Sequence, residues 1–227
     1  MKRSRDRRGL WRYERLARAM GYACVAGVDE VGMGPLAGPV VAGAVVLPIG
    51  ARLPGIDDSK RLSAMQRDRL DKAIRHQATA VATYAVGHEL VDKLGLMQAR
   101  HLACQGAVEA LGVSADYLLC DAWDVPGVAL PQMAVIRGDS TVASIMAASI
   151  VAKVVRDHLM TEYDESYPGW GFAAHKGYAT AVHRAALMEK GPSPIHRMSW
   201  APLRALGQDG QMALAAGPED GTMASHG

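Results

Sequence analysis

The pattern of apolar and polar positions begins with a polar arm and then sets short β-branched runs against longer helical stripes. Leu10, Trp11, Tyr13, Leu16, Ala17 and Met20 recur at near-helical spacing, predicting a short amphipathic helix ahead of the first strand. Apolar runs at 23–30 and 40–47 predict two buried strands, the second stopped by Pro48. The Gly/Pro turn between them suits an antiparallel pair. Ser63 with Gln66 has the form of a capping box opening a helix to about His76. A Val/Thr/Tyr-rich strand at 80–86 precedes a helix at 89–111, with Leu90, Leu94, Met97, Leu102, Val108 and Leu111 as its apolar stripe and Gly112 as its stop. Strands at 117–120 and 133–136 follow, then a small-faced helix at 141–162, an irregular stretch at 167–171, and a helix at 179–190 closed by Gly191 and Pro192. Strands first, then strands alternating with helices, predict an α/β fold with a mixed sheet and helices on its faces. Residues 1–21 form a basic arm with its short helix, 22–206 one domain, and 207–227 a tail rich in Gly, Ala, Met and acids that is expected to be disordered.

Composition narrows the class. With 49% hydrophobic and 21% charged residues the chain reads as an ordinary globular protein, and with one Phe its core must be built from Ala, Val, Leu, Ile and Met. Cys24, Cys104 and Cys120 are scattered without a Cys-x-x-Cys spacing, which argues against a zinc site or a disulfide framework and suits a reducing compartment. No apolar run is long enough to span a membrane and no signal-peptide pattern is present, so a soluble, cytoplasmic protein without a membrane partner is expected. Residues 1–18 carry a local +6 and residues 207–227 a local −3. The basic arm either holds phosphates by counterion release or merely solubilises the end of the chain.

Candidate chemistry concentrates where strands end. Residues 25–39 are an apolar run that closes on Asp29 and Glu30 and passes into a loop containing Gly32, Gly34 and Gly38. Ionised carboxylates at a buried strand end need a cation or hydrogen bonds, and glycines let backbone approach whatever lies there. The pattern therefore fits either a metal-holding acidic site beside a polyanion, or a turn with two solvated acids. Asp121 ends the fourth strand and Asp139 follows the fifth. Ligands gather outside the carboxyl ends of strands in open α/β sheets, so these acids could converge. Oxygen-only ligands favour Mg2+ or Mn2+ over zinc, and a pair of such ions is the usual apparatus for in-line attack at a phosphodiester. Asp139 has a second explanation, a favourable charge at a helix start.

Further blocks carry a family resemblance. Residues 27–41, with Gly27-Val28-Asp29-Glu30-Val31-Gly32-Met33-Gly34-Pro35, resemble the signature of type 2 ribonuclease H (ribonuclease HII), normally Asp-Glu-Ala-Gly-Arg-Gly. Asp58-Ser59-Lys60-Arg61-Leu62-Ser63, Gly138-Asp139-Ser140, residues 147–157, 167–172, 175–180 and 191–197 resemble its later blocks, in order, over about residues 22–206. The resemblance implies a ribonuclease H-like mixed five-stranded sheet flanked by helices, with a helical C-terminal extension. It also implies cutting of RNA in RNA–DNA hybrids and of DNA duplex containing single ribonucleotides, on the 5′ side, leaving a 3′-hydroxyl and a 5′-phosphate. On that pattern Asp29, Glu30, Asp121 and Asp139 hold two Mg2+ or Mn2+ ions with substrate bound. Gly32, Met33 and Gly34 read the ribose 2′-hydroxyl, and Tyr178 stacks on the next deoxyribose. Lys60, Lys153, Lys176 and Arg197 are assigned to phosphates, Arg156 and Asp157 to a structural pair, and the protein is expected to act as a monomer.

The departures are specific. Met33 stands where the family has Arg, which implies weaker substrate binding or a changed junction preference. Cys120-Asp121-Ala122-Trp123 replaces an acid followed by glycine, and Leu96-Met97 replaces Ile-Asn. The alternative these leave open is a nucleic-acid-binding relative with feeble catalysis. A hybrid nuclease without junction preference is a third reading.

Overall fold

The computed structural model describes residues 7–200 together with 203 and 204. The first six residues of the basic arm and the 207–227 tail lie outside the described residues. In chain order the elements are α1 (Arg7–Leu10), α2 (Arg12–Ala19), β1 (Val25–Val31), β2 (Val40–Val46), a 3-10 turn (Ser59–Arg61), α3 (Ala64–Gln77), β3 (Ala80–Val86), α4 (His88–Leu94) and α5 (Leu96–Glu109). They continue with β4 (Tyr117–Asp121), β5 (Gln132–Val135), α6 (Gly138–Thr141), α7 (Ala143–Ser166), α8 (Phe172–His175) and α9 (Ala181–Lys190).

The five strands form one mixed sheet in the order β3-β2-β1-β4-β5. β1 is antiparallel to β2 and β2 to β3, whereas β1–β4 and β4–β5 are parallel. The pleat sorts the strand side chains to two faces. Ala26, Val28, Ala42, Ala44 and Val46 pack against Ala99, Ala103, Cys104 and Ala107 of α5. Val45 packs on the other face with Ala147, Ala148 and Val151 of α7, and with Leu70 and Ile74 of α3. The capping box at Ser63 and Gln66 is present, and Gly191 closes α9 as the sequence predicts.

Two glycines set how closely α7 lies on the sheet. A Cβ on Gly27 would fall into the backbone of Ser144, and one on Gly43 would lie 2.5 Å from the Ala148 carbonyl oxygen. Gly43 is the cross-strand partner of Asp29. The same close approach thus seats the middle of α7 beside the acid.

Several expected elements come out differently. The helix expected over 89–111 is two helices, broken where Gly95 takes φ 82, a conformation open to glycine at little cost. The expected stripe holds only in its second half, where Leu102, Val108 and Leu111 pack into the α5-side core. Leu90, Leu94 and Met97 are exposed, while Val91, Ala99, Arg100, Ala103, Cys104 and Ala107 face inward. Small residues win the inward face because the helix must sit close to the sheet. The helix expected from 141 is interrupted by extended Val142, which separates α6 from α7. Cys104 and Cys120 are buried core residues; Cys24 is only half-buried. Among the described residues no helix is long and apolar enough to cross a membrane.

Gly43→Ala should lower stability by about 1–3 kcal/mol through overpacking against α7. A shifted urea midpoint checks this, and an unchanged midpoint would show that α7 can retreat freely.

Candidate active site

Asp29 is buried on β1 and accepts the Glu30 backbone N–H at 2.8 Å. Alternation along the strand sends the two acids to opposite faces. Asp29 meets the Ser149 hydroxyl of α7. Glu30 turns to α5, where its carboxylate is 2.8 Å from Arg100 Nε and 4.0 Å from the Cys104 sulfur. Asp121 lies at the end of β4, and its Oδ1 accepts the Asp139 backbone N–H at 3.2 Å. Asp139 itself, in α6, receives Lys60 Nζ at 3.1 Å.

The charges interact as one group. Burial, then the charges of Glu30 and Asp121, push the Asp29 pKa well up. Burial first and Asp139 second raise that of Asp121, against backbone hydrogen bonds that work the other way. Burial opposes the Lys60 ammonium, but its hydrogen bond and attraction to Asp139 outweigh that and raise its pKa. Asp139 and Glu30 thus each have a cation from the chain itself. Asp29 and Asp121, which form no ion pair among the described residues, are the two acids whose negative charge is held least comfortably.

The glycine loop at 32–39 is tied down from the other side. Arg156 and Arg197 are fully buried. Arg156 donates to the carbonyls of Pro39 at 3.0 Å, Ala37 at 3.2 Å and Lys176 at 3.0 Å. Arg197 donates from Nε to the Gly38 carbonyl at 2.9 Å, and burial with the nearby Arg156 charge lowers its pKa to about 9. Gly32 has φ 93, and a Cβ there would lie 2.6 Å from Arg156 Nε, so only glycine lets the guanidinium in. Backbone bonds from Leu36 to Gly177 (2.8 Å) and from Gly38 to Ile195 (3.0 Å) complete the clamp.

Tyr178 stands over this loop. Its ring edge would be 3.7 Å from a Cβ on Gly34, and the ring is half open to solvent. Behind it runs a buried relay whose tautomers follow from the partners. His183 Nδ1 donates to the Tyr178 carbonyl at 2.9 Å, so its Nε2 accepts from His196 Nε2 at 2.9 Å. His196 Nδ1 then accepts from the Ser193 backbone N–H and hydroxyl, both at 2.8 Å. His175 stacks on His183 with ring centroids 4.1 Å apart. Neither relay ring can take a proton without losing an acceptor.

The basic residues expected at phosphates divide. Lys60 is exposed but bound to Asp139. Lys153 Nζ is 2.6 Å from Asp157 and 5.9 Å from the centre of the Tyr178 ring. Lys176 donates to the Asp157 carbonyl at 3.0 Å and to the Thr161 hydroxyl at 2.8 Å. Arg197 is the clear departure, since it is buried and holds backbone rather than facing a polyanion. The expected Arg156–Asp157 pair is replaced by Asp157 with Arg67 (3.2 Å) and Lys153, while Arg156 bonds to backbone carbonyls. Met33 is half-buried against the α5-side core. Arg100, Ser149 and the His183–His196 relay were not legible in advance. The one signal was the run of small residues around Arg100, which marks α5's true inner face.

Among the described residues no three His, Cys, Asp or Glu side chains already converge into a metal cage. The donor chemistry nonetheless fits a hard divalent cation: carboxylate oxygens only, with two acids whose ionised forms are disfavoured by burial and mutual repulsion. Asp29, Glu30, Asp121 and Asp139 are the side chains that could hold such an ion, Glu30 and Asp139 each being paired with Arg100 and Lys60 here.

Comparison with known proteins agrees with this architecture. The ribonuclease HII family model matches residues 26–203. A ribonuclease HII from Geobacter metallireducens is 51% identical over 193 residues, covering 85% of this chain and 91% of that protein. The crystal structure of ribonuclease H2 from Pyrococcus horikoshii OT3 superposes with a TM-score of 0.70 at 25% identity, covering 82% of this chain and 98% of the other. A Bst-RNase HIII in complex with Mn2+ shares the fold, with a TM-score of 0.62 at 17% identity over 86% of this chain and 72% of that one.

The histidine relay generates a pH prediction. Burial lowers the pKa of both His183 and His196 from 6.5 to about 4. The unfolded chain therefore binds more protons than the folded one between those values, and stability held above pH 6.5 is lost as pH falls toward 4. The melting temperature should drop across that window, with a shallower slope in His196→Gln; equal slopes in the two proteins would contradict the relay.

Proposed function

The chain belongs to the ribonuclease HII family and is an endoribonuclease of the ribonuclease H type; from that premise we propose that it hydrolyses the RNA strand of RNA–DNA hybrids and nicks on the 5′ side of single ribonucleotides in duplex DNA, leaving a 3′-hydroxyl and a 5′-phosphate. The observation that carries this reading is the meeting, at one edge of the sheet, of buried Asp29 and half-buried Asp121, neither in an ion pair among the described residues, with a clamped glycine loop and a half-open tyrosine ring.

Asp29, Glu30, Asp121 and Asp139 are the holders of the metal. Bound Mg2+ or Mn2+, two ions with substrate in place, supplies an acidified water for attack and charge to stabilise the leaving oxygen. The chain's own residues do the rest. Asp29 and Asp121 keep their carboxylates at the strand ends, where backbone hydrogen bonds fix them. Lys60 and Arg100 neutralise Asp139 and Glu30. Gly32, Met33 and Gly34 lie along the ribose, and the absence of side chains on the glycines lets backbone reach the 2′-hydroxyl. Tyr178 packs on the neighbouring deoxyribose, where a second hydroxyl would not fit. Lys153, beside that ring, and Lys176 face the phosphates of the bound strand.

A DNA duplex with one ribonucleotide, incubated with Mg2+ or Mn2+, should be nicked once, on the 5′ side of that ribonucleotide. Tight binding without a nick would favour a weakened relative. Asp29→Asn should abolish cutting while melting no lower than the parent, because it removes a disfavoured charge and no volume. A lower melting temperature would assign Asp29 to the fold rather than to catalysis. Met33→Arg should tighten substrate binding and steepen the log–log salt slope by about 1, one added phosphate contact. Unchanged cleavage and salt dependence would show that position 33 does not face the substrate.

A further inference from the structure

Beyond Asp121 and Val135, the paired ends of β4 and β5, the chain makes two tight turns that present apolar groups to solvent. Trp123 is 63% exposed and Ile136 is 81% exposed. The turns are firmly built. Ala122 and Arg137 both take φ 57, a left-handed conformation that costs a non-glycine residue on the order of 1–2 kcal/mol. Hydrogen bonds hold them there. Ala122 N–H donates to the Val135 carbonyl at 3.0 Å and Trp123 N–H to the Asp121 carbonyl at 2.6 Å. The Arg137 carbonyl accepts from Ser140 N–H at 3.1 Å, from the Ser140 hydroxyl at 3.1 Å and from the Thr141 hydroxyl at 2.8 Å. Exposure of Trp123, Ile136 and Arg137 is therefore a fixed property of the strand ends. Arg137 is exposed and has no ion pair among the described residues; besides the site acids Asp121 and Asp139, the acid in these turns is exposed Asp124.

We propose that Trp123, with Ile136 and Arg137 beside it, is a contact platform for the substrate duplex next to the cut: a sugar or base face on the indole, a sugar edge on Ile136 and a phosphate on Arg137. The proposal rests on the nuclease reading above. Its physical basis is reach. Trp123 is two residues from Asp121, at most about 7 Å of chain, while the phosphates of one strand follow each other every ~3.4 Å along a duplex axis. A duplex offering a phosphate to Asp121 and Asp139 must bring neighbouring nucleotides across these turns. An exposed indole gains from such a surface because sugars and bases stack on it without regard to sequence.

The test uses the intact chain. Of the four tryptophans Trp123 is the exposed one; Trp11 is buried, and Trp170 and Trp200 are half-buried. Titration with an all-DNA duplex in Mg2+ should quench the fluorescence of the wild type and leave Trp123→Phe unquenched. On the duplex with one ribonucleotide, Trp123→Ala should raise KM by about tenfold, as loss of one stacking contact does, and more than it lowers kcat. Trp123→Phe, which keeps a ring, should recover most of that loss. Met20→Ala, an exposed residue at the C-cap of α2, should behave as wild type. If the wild type nicks its substrate but Trp123→Ala leaves KM unchanged, the platform is refuted and the nuclease reading stands. If the wild type neither binds nor nicks, both fall.

Discussion

Negative charge confined at the carboxyl edge of the sheet is the constraint on which the rest of this structure depends. Asp29 and Asp121 are taken partly or wholly out of water and set near each other, and both lose some of their readiness to ionise. A fold selected only for stability would place apolar groups there, since burying like charges is among the most costly arrangements available. The surroundings offset the cost in part. Backbone N–H groups of Glu30 and Asp139 are turned toward the carboxylates, and Lys60 and Arg100 neutralise the outer two acids. What remains uncompensated is what a divalent cation would bind.

The packing geometry follows from the same demand. The acids come from β1, from β4 and from α6, so they stay together only if the sheet and the helix after α6 keep a fixed spacing. Gly27 and Gly43 provide it by letting α7 rest directly on strand backbone, with Ser149 beside Asp29. On the opposite face α5 carries Arg100 among small residues, so that a guanidinium fits against the sheet and reaches Glu30. Each helix thus brings one specific polar group to the acid edge as well as its apolar surface.

A second rigid body lies beside the acids. The glycine loop has few side chains with which to fix itself, and the C-terminal segments hold it by its carbonyls through Arg156 and Arg197. Arg156 suits this role because a planar guanidinium donates in several fixed directions at once, whereas the Arg197 side chain reaches the loop through Nε alone. The neutral His183–His196 relay extends the same support to the backbone of Tyr178. The ring can then remain half open without being loose.

Much of the architecture was legible in the residue order. Continuous apolar runs marked β1 and β2, a Val/Thr/Tyr-rich run marked β3, the Ser63–Gln66 box marked the start of α3, and acids closing apolar runs marked Asp29, Glu30 and Asp121. These features depend on local periodicity and capping, which neighbouring residues determine between them. Other features depended on contacts between residues far apart in the chain. The inward face of α5 was set by how near the helix must lie to the sheet, so bulky Met97 was turned out despite its hydrophobicity, and the break at Gly95 left Leu90 and Leu94 of α4 exposed as well. Arg197 resembled a surface cation in sequence; only the fold put it under the glycine loop. The sequence alone established which residue types were available at the strand ends. Tertiary structure decided which carboxylate each cation meets, because charges separated by tens of residues acquire partners only when the sheet assembles.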